Sequence, residues 1–282
     1  MAVGIVTDST SDIEPQLAAR LGITVVPLFV IWGDRSYRDY VDLSRREFYE
    51  RLAAEPELPK TSQPSPQMFE EAFAALAAAG QEIVCITISS KLSGTINAAR
   101  AAASRFPDTR ISIFDSLSVA GGLGMQARLA NDLAKSGAGT DAILEALERE
   151  RPAQRLYACI PDLSHVVRTG RIGKARAAIG TLMKIVPVIS LHDGEVVAEA
   201  QVRTFARAEE TMIDLALQNV REISQGRFLV MHTNAPALAE TVRERLEQRF
   251  GGVKPKVLEV LEAGPVIATH GGPGAVGVFS AQ

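Results

Sequence analysis

With 282 residues, 46% of them hydrophobic and 22% charged, the chain has the composition of a folded globular protein and is long enough for two α/β domains or one large one. Its 30 Lys and Arg against 33 Asp and Glu leave a net charge of -3, which excludes the broad positive field needed to gather nucleic acid. Cys85 and Cys159 stand far apart without CxxC spacing, so neither a disulfide framework nor a zinc site is expected. The opening MAVGIVTDST lacks the basic and long apolar segments of a signal peptide, and no uninterrupted apolar run of about 18 residues follows. A cytoplasmic location is the expectation.

Short apolar runs, each ending in small polar residues and followed by a helical pattern, predict βα units around a largely parallel sheet. The first strand is predicted over Val3 to Val6, ending at Asp8, Ser9 and Thr10, and the second over Thr24 to Ile31. Arg51 to Lys60, rich in proline, reads as a surface loop. Ser65-Pro66 opens a predicted helix from Met68 to Ala79, Ile83 to Ile88 is a strand ending at Ser89-Ser90, and Ser93 precedes a helix from Thr95 to Ser104. Arg110 to Phe114 is a further strand, ending at Asp115-Ser116. Beyond about residue 155 the texture changes. A hairpin is predicted with arms Pro187 to Leu191 and Val196 to Ala200 about the turn His192-Asp193-Gly194. A helix from Ala206 to Val220, a strand Arg227 to His232, a helix Ala237 to Phe250 and a strand Lys256 to Leu261 complete a mixed-sheet domain. The expected division is therefore 1–155, an α/β domain with a parallel sheet, and 156–282, an α/β domain with a mixed sheet.

Two Gly-x-Gly-x-x-Gly/Ala matches, at Gly122 to Ala127 and at Gly272 to Gly277, are poorly placed for a dinucleotide. The first is separated from its strand and the second has too little chain after it for a βαβ unit. Phosphate-loop, nucleophile-elbow and metalloprotease motifs are missing from the sequence, and the four histidines are scattered, so no cofactor and no metal are expected. Thr61-Ser62 before a proline-stiffened helix start, and Ser89 to Thr95 with its Gly94, offer hydroxyls and free helix N–H groups to an anion. Each reads equally as local capping chemistry. His270, in a small-residue turn, can donate to the same anion or serve no function, and Arg168, Arg171 and Arg203 lie beside expected turns as phosphate or partner forks or as plain surface charges.

Val6-Thr-Asp-Ser-Thr10, Thr61-Ser-Gln-Pro-Ser-Pro66, Ser90-Lys-Leu-Ser-Gly-Thr95, Asp115-Ser116, Arg168 to Ile172, Val202-Arg-Thr204 and His270 to Gly274 together resemble the DegV family, nearly end to end. The resemblance implies two α/β domains with a fatty acid bound between them, as in the FakB carriers of bacterial fatty acid kinase. By similarity Thr61, Ser62, Ser93 and Gly94 surround the carboxylate with His270 close by, while Arg171 and Arg203 engage the kinase subunit. It further implies no catalysis by this chain, a tail enclosed in a tunnel, an acyl phosphate made by the partner, and transient membrane contact for exchange. Two departures stand out: Gly271 where many relatives carry a hydroxyl residue, and Thr169 in a turn that is often Gly-Gly. The rival expectations are an acyl or phosphoryl transferase using Ser93 as nucleophile with His270 as base, and a binder of a small polar, sugar-type ligand.

Overall fold

Val3–Asp8 (β1), Thr24–Val26 (β2), Glu82–Thr87 (β6) and Ile111–Asp115 (β7) form a four-stranded sheet in the order β2-β1-β6-β7, parallel at every pairing. Helices cover both faces, which is why β1 and β6 read as near-continuous apolar runs. Alternate residues go to opposite sides. Ile5, Val84 and Ile86 pack with Leu123, Ala127, Ile143 and Leu147, whereas Val6, Ile83 and Cys85 pack with Phe69, Phe73, Ala98 and Ala99. The first group belongs to the side of Ala120–Lys135 (α5) and Thr140–Ala153 (α6), the second to that of Pro66–Ala78 (α3) and Thr95–Ala103 (α4). A short helix, Pro15–Leu21 (α1), precedes β2.

This computed structural model describes residues 2–55, 57–175 and 185–282. The chain divides into two compact units, one running to Arg151 together with Gly264–Val266, the other comprising Pro152–Ala263 and Ile267–Gln282.

The first unit departs from the sequence reading in one place that matters. The apolar run from Thr24 to Ile31 is two strands, not one. Pro27 has no N–H to give a ladder, so the chain leaves the parallel sheet at Val26. It resumes as Phe29–Trp32 (β3) in a separate antiparallel sheet, flanked by Arg35–Arg38 (β4) and Lys60–Ser62 (β5). The expected loop from Arg51 is also shorter, because Arg45–Ala54 (α2) extends into it. Its start is fixed by a capping box in which the Ser44 hydroxyl accepts from Glu47 N and the Glu47 carboxylate accepts from Ser44 N. Arg51 lies over the Trp32 ring at 4.5 Å, tying α2 to the small sheet.

The second unit is a six-stranded mixed sheet of Arg155–Cys159 (β8), Val186–His192 (β9), Glu195–Val202 (β10), Arg227–His232 (β11), Val257–Glu262 (β12) and Val276–Ala281 (β13). The order is β10-β9-β8-β13-β11-β12, and only β11 with β12 is parallel. The hairpin turn is the pair Asp193-Gly194, both at positive φ (50° and 79°) as a two-residue turn of this hand requires, while His192 belongs to the strand. Ser164–Arg168 (α7), Phe205–Gln218 (α8), Pro236–Arg249 (α9) and Pro265–Gly271 (α10) are its helices. Phe228, Val230, Met212, Val242 and Leu246 centre its core.

Candidate functional site

In the first unit the strand ends and helix starts gather on one rim, and buried carboxylates shape it. Asp8, at the end of β1, accepts from Ile88 N at 2.7 Å and from Thr10 N at 3.0 Å, with the Thr10 hydroxyl as a third donor. Burial pushes its carboxyl up to about 6 against the opposing pull of these hydrogen bonds. Asp115, ending β7, accepts from Ser90 N and Leu117 N, each at 3.1 Å. Ser89 N donates to Ser118 O at 2.9 Å. The loop from Ile88 to Gly94 is thus held from two neighbouring strand ends. The turn that does part of the holding is strained, with Leu117 and Ala120 at φ 48° and 51°.

This loop delivers Ser93 and Gly94. The Ser93 hydroxyl lies 2.9 Å from the Thr95 hydroxyl and receives Thr95 N at a long 3.4 Å. Gly94, rather than Ser93, occupies the N-cap position of α4. A Cβ at Gly94 would meet the far end of the Gln63 side chain, which is flexible enough to move aside; the contact places the segment carrying Thr61 and Ser62 against the Ser93 turn. Thr61 and Ser62 are not helix caps, because they form the end of β5, paired with Val30 and Phe29. Neighbouring strand residues point to opposite faces. Thr61 shares the face of the fully buried Val30, and Ser62 that of the half-buried Phe29, so the two hydroxyls do not converge on one point. Thr61, Ser62, Ser93 and Gly94 all keep partial exposure. Hydroxyl donors beside the free N–H groups of a helix start suit an anionic oxygen such as a carboxylate.

His270, Arg171 and Arg203 belong to the second unit. His270 is not in a turn, as its sequence context suggests, but in the last turn of α10. Burial, reinforced by the Arg171 guanidinium, pushes its imidazole down to about 3, which leaves the ring neutral at physiological pH. Arg171 donates to Thr169 O at 2.6 Å. Arg203 is exposed in the step from β10 to α8, beside Thr204, whose hydroxyl caps α8 by accepting from Arg207 N. The Gly-Pro-Gly turn after α10 is shaped by packing: Gly272, at φ 66°, lies under the His165 ring, which an added Cβ would meet at 2.6 Å.

The glycines of the other nucleotide-like motif have a similar explanation. Gly122 to Ala127 lies inside α5, and Gly124 packs on the Ser11 carbonyl oxygen, 2.5 Å from where a Cβ would stand. Among the described residues no group of three or more His, Cys, Asp or Glu is arranged to hold a metal ion, and no helix is long and apolar enough to cross a membrane. Sequence reasoning left Gln63 and Ser118 without a role. Gln63 sits in a quoted motif but its service to Gly94 is a contact across thirty residues of chain, roughly, with no local signal.

The parallel sheet with its rim of hydroxyls, followed by a six-stranded mixed sheet, defines a two-unit α/β protein with hydroxyls and helix starts gathered at the strand ends of its first unit. The family model described as "Uncharacterised protein, DegV family" matches residues 2–282. The chain is 35% identical over 278 residues to a DegV domain-containing protein of Halalkalibacterium halodurans, covering 98% of this chain and 97% of the relative. Among solved structures it is similar to a DegV family protein of Thermus thermophilus described as binding fatty acid, with a TM-score of 0.92, 32% identity and 100% of both chains covered. It is similar also to DegV of Bacillus subtilis, described as a fatty acid binding protein, with a TM-score of 0.91, 30% identity, and 100% of this chain and 99% of that one covered. The chain belongs to the DegV family.

Proposed function

We propose that this protein binds a long-chain fatty acid, encloses its tail and presents its carboxylate to a separate ATP-dependent kinase, which converts it to the acyl phosphate. The observation that carries the reading is the junction of the Thr61-Ser62-Gln63 segment with the Ser93-Gly94 turn, small hydroxyls and helix N–H groups on a rim that buried Asp8 and half-buried Asp115 hold rigid. The fatty-acid-binding relatives from Thermus and Bacillus, similar over essentially the whole chain, support it. Burying a tail of about sixteen carbons is worth about 0.8 kcal/mol per methylene, on the order of 12 kcal/mol before association costs. Affinity then resides in the tail, and the hydroxyls fix where the head lies. The same donors suit a phosphate, so the product stays held after transfer. Arg171 and Arg203 are the residues assigned to the kinase, His270 is a neutral hydrogen-bonding partner of the head group, and loading proceeds by brief contact with a membrane surface.

The chain on this reading is a carrier and not an enzyme. A Ser93 nucleophile needs a base held by an acid, and of the two strand-end acids beside the Ser93 loop, Asp8 has both oxygens engaged by backbone N–H groups while Asp115 Oδ1 accepts from Ser90 N and Leu117 N. Native mass spectrometry of the purified protein, followed by extraction of whatever is bound, tests the proposal. One fatty acid per chain is the expected result. A protein that is recovered empty, takes up no added palmitate and gains no thermal stability from it overturns the reading.

A further inference from the structure

The end of α10 lies against a residue that the proposed function leaves without a role. Thr233, directly after β11, is 4% exposed, and like His270 it belongs to the second unit. Its hydroxyl donates to Gly272 O at 2.5 Å and accepts from Ala275 N at 2.9 Å. Its backbone N donates to Ala275 O at 3.0 Å, and its carbonyl accepts from Gly274 N at 2.7 Å. One residue thus holds Gly272, Gly274 and Ala275 at once. Thr233 has a firm base of its own. The strand before it, β11, lies between β13 and β12, and His232 Nδ1 accepts from Ala235 N at 3.2 Å across the bend that follows. The segment after β8 supplies further contacts to the same turn, since a Cβ at Gly272 would meet the His165 ring and one at Gly274 would stand 3.4 Å from Pro161 Cγ.

Gly272 N donates in turn to Ala268 O at 2.8 Å, which closes the last turn of α10. His270 stands midway between Ala268 and Gly272. The stretch that carries it is therefore closed by its own hydrogen bond and fastened at its far end to Thr233. We propose that Thr233 is the positioning residue for His270: through the Gly272 carbonyl its hydroxyl fixes the end of α10, and with it the direction of the imidazole. A valine would fill the same buried space with the same branched shape. What the hydroxyl adds is one donor and one acceptor for two backbone groups of the turn, which lose that partner when it is removed. Thr233 acts on His270 through the turn, and the role of His270 toward a head group rests on the function proposed above.

The test uses the full chain, first without ligand. In Thr233→Val, amide exchange at Ala275 is expected to quicken about tenfold or more while that of Val230 in β11 stays unchanged. The Cε1–H signal of the His270 ring, followed by NMR, is expected to leave its wild-type position and broaden. Palmitate affinity should fall about fivefold in Thr233→Val, but by less than about twofold when the same change is made in a His270→Ala background. Thr233→Ser, which keeps the hydroxyl, should restore exchange, ring signal and affinity together. Thr233→Ala, which lets water reach the freed groups, serves if Thr233→Val does not fold, with the same pattern and a smaller effect. A folded variant with unchanged Ala275 exchange, or with faster exchange and an unchanged His270 signal, overturns the assignment. So does an affinity loss that is as large without His270 as with it, or that serine does not restore. A wild-type chain that takes up no palmitate, with variants that show the exchange and ring-signal changes, overturns the fatty-acid reading and leaves the positioning of His270 by Thr233 standing.

Discussion

The loop that carries Ser93 and the segment that carries Arg171 solve different problems with different material. Ile88 to Gly94 is pinned by Asp8 and by Asp115, through hydrogen bonds reaching across strand ends, and follows β6, which with the neighbouring β1 is almost wholly buried. Arg171 follows a single short turn of helix, with Arg168 exposed and the Arg171 guanidinium returned to a carbonyl two residues away. The first arrangement ties a loop through backbone N–H groups to two carboxylates; the second leaves Arg168 exposed beside a short helix.

The sharpest way to break this contrast is Asp8→Ala. It strands Ile88 N and Thr10 N in a buried place, and unfolding measured by calorimetry should show a loss of about 2 to 4 kcal/mol together with lost fatty-acid uptake. If the protein keeps its stability, the carboxylate is not what holds the Ser93 loop. Next comes the pH response of the other buried acids. Asp39 titrates near 3.8 unfolded and about 8 folded, so the folded state binds the extra proton, and stability falls as pH rises from about 4 to 8. Asp39→Asn should flatten that fall, as read from urea titrations across that pH range. His270 works in reverse: at 6.5 unfolded and about 3 folded, its contribution is present above pH 6.5 and is lost as pH drops toward 3, a loss that His270→Gln should relieve.

A smaller effect separates Thr61 from Ser62. Since they face opposite sides of β5, alanine at one of the two should weaken palmitate binding about tenfold, near 1.4 kcal/mol, and alanine at the other should leave it within twofold. Equal losses by titration calorimetry would mean that the strand is rebuilt on binding. Smallest of all, Arg203→Ala should change neither stability nor palmitate affinity by more than about 0.5 kcal/mol, and if the chain serves a kinase as proposed, its whole effect should appear in binding to that partner.

Much of this was legible in the residues. The βα alternation gave the parallel sheet, and the Asp-Gly pair placed the hairpin turn, because each is a local signal with a local cause. Thr61, Ser93 and His270 were singled out through the order of motifs along the chain. The breaking of one apolar run into β2 and β3 was readable in Pro27 but outweighed by hydrophobicity. That Thr61 and Ser62 diverge depends on β5 being a strand, and three residues rich in hydroxyls before two prolines carry no period from which to see it. His270 looked like a turn residue because Gly271 to Gly274 follow it; Pro265, a good first residue for a helix, was the overlooked sign that α10 begins there.

Gly264–Val266, which belong with the first unit although they come late in the sequence, also set an order of events during synthesis. The carboxyls of Asp12 and Asp39 meet their backbone partners only when Gly264 and Val266 have been made, 252 and 227 residues later in the chain respectively. A nascent first unit leaving the ribosome therefore waits, with two acids lacking these partners, until residues 264–266 have emerged. The amino-terminal half by itself is a piece whose last stones are delivered from the far end.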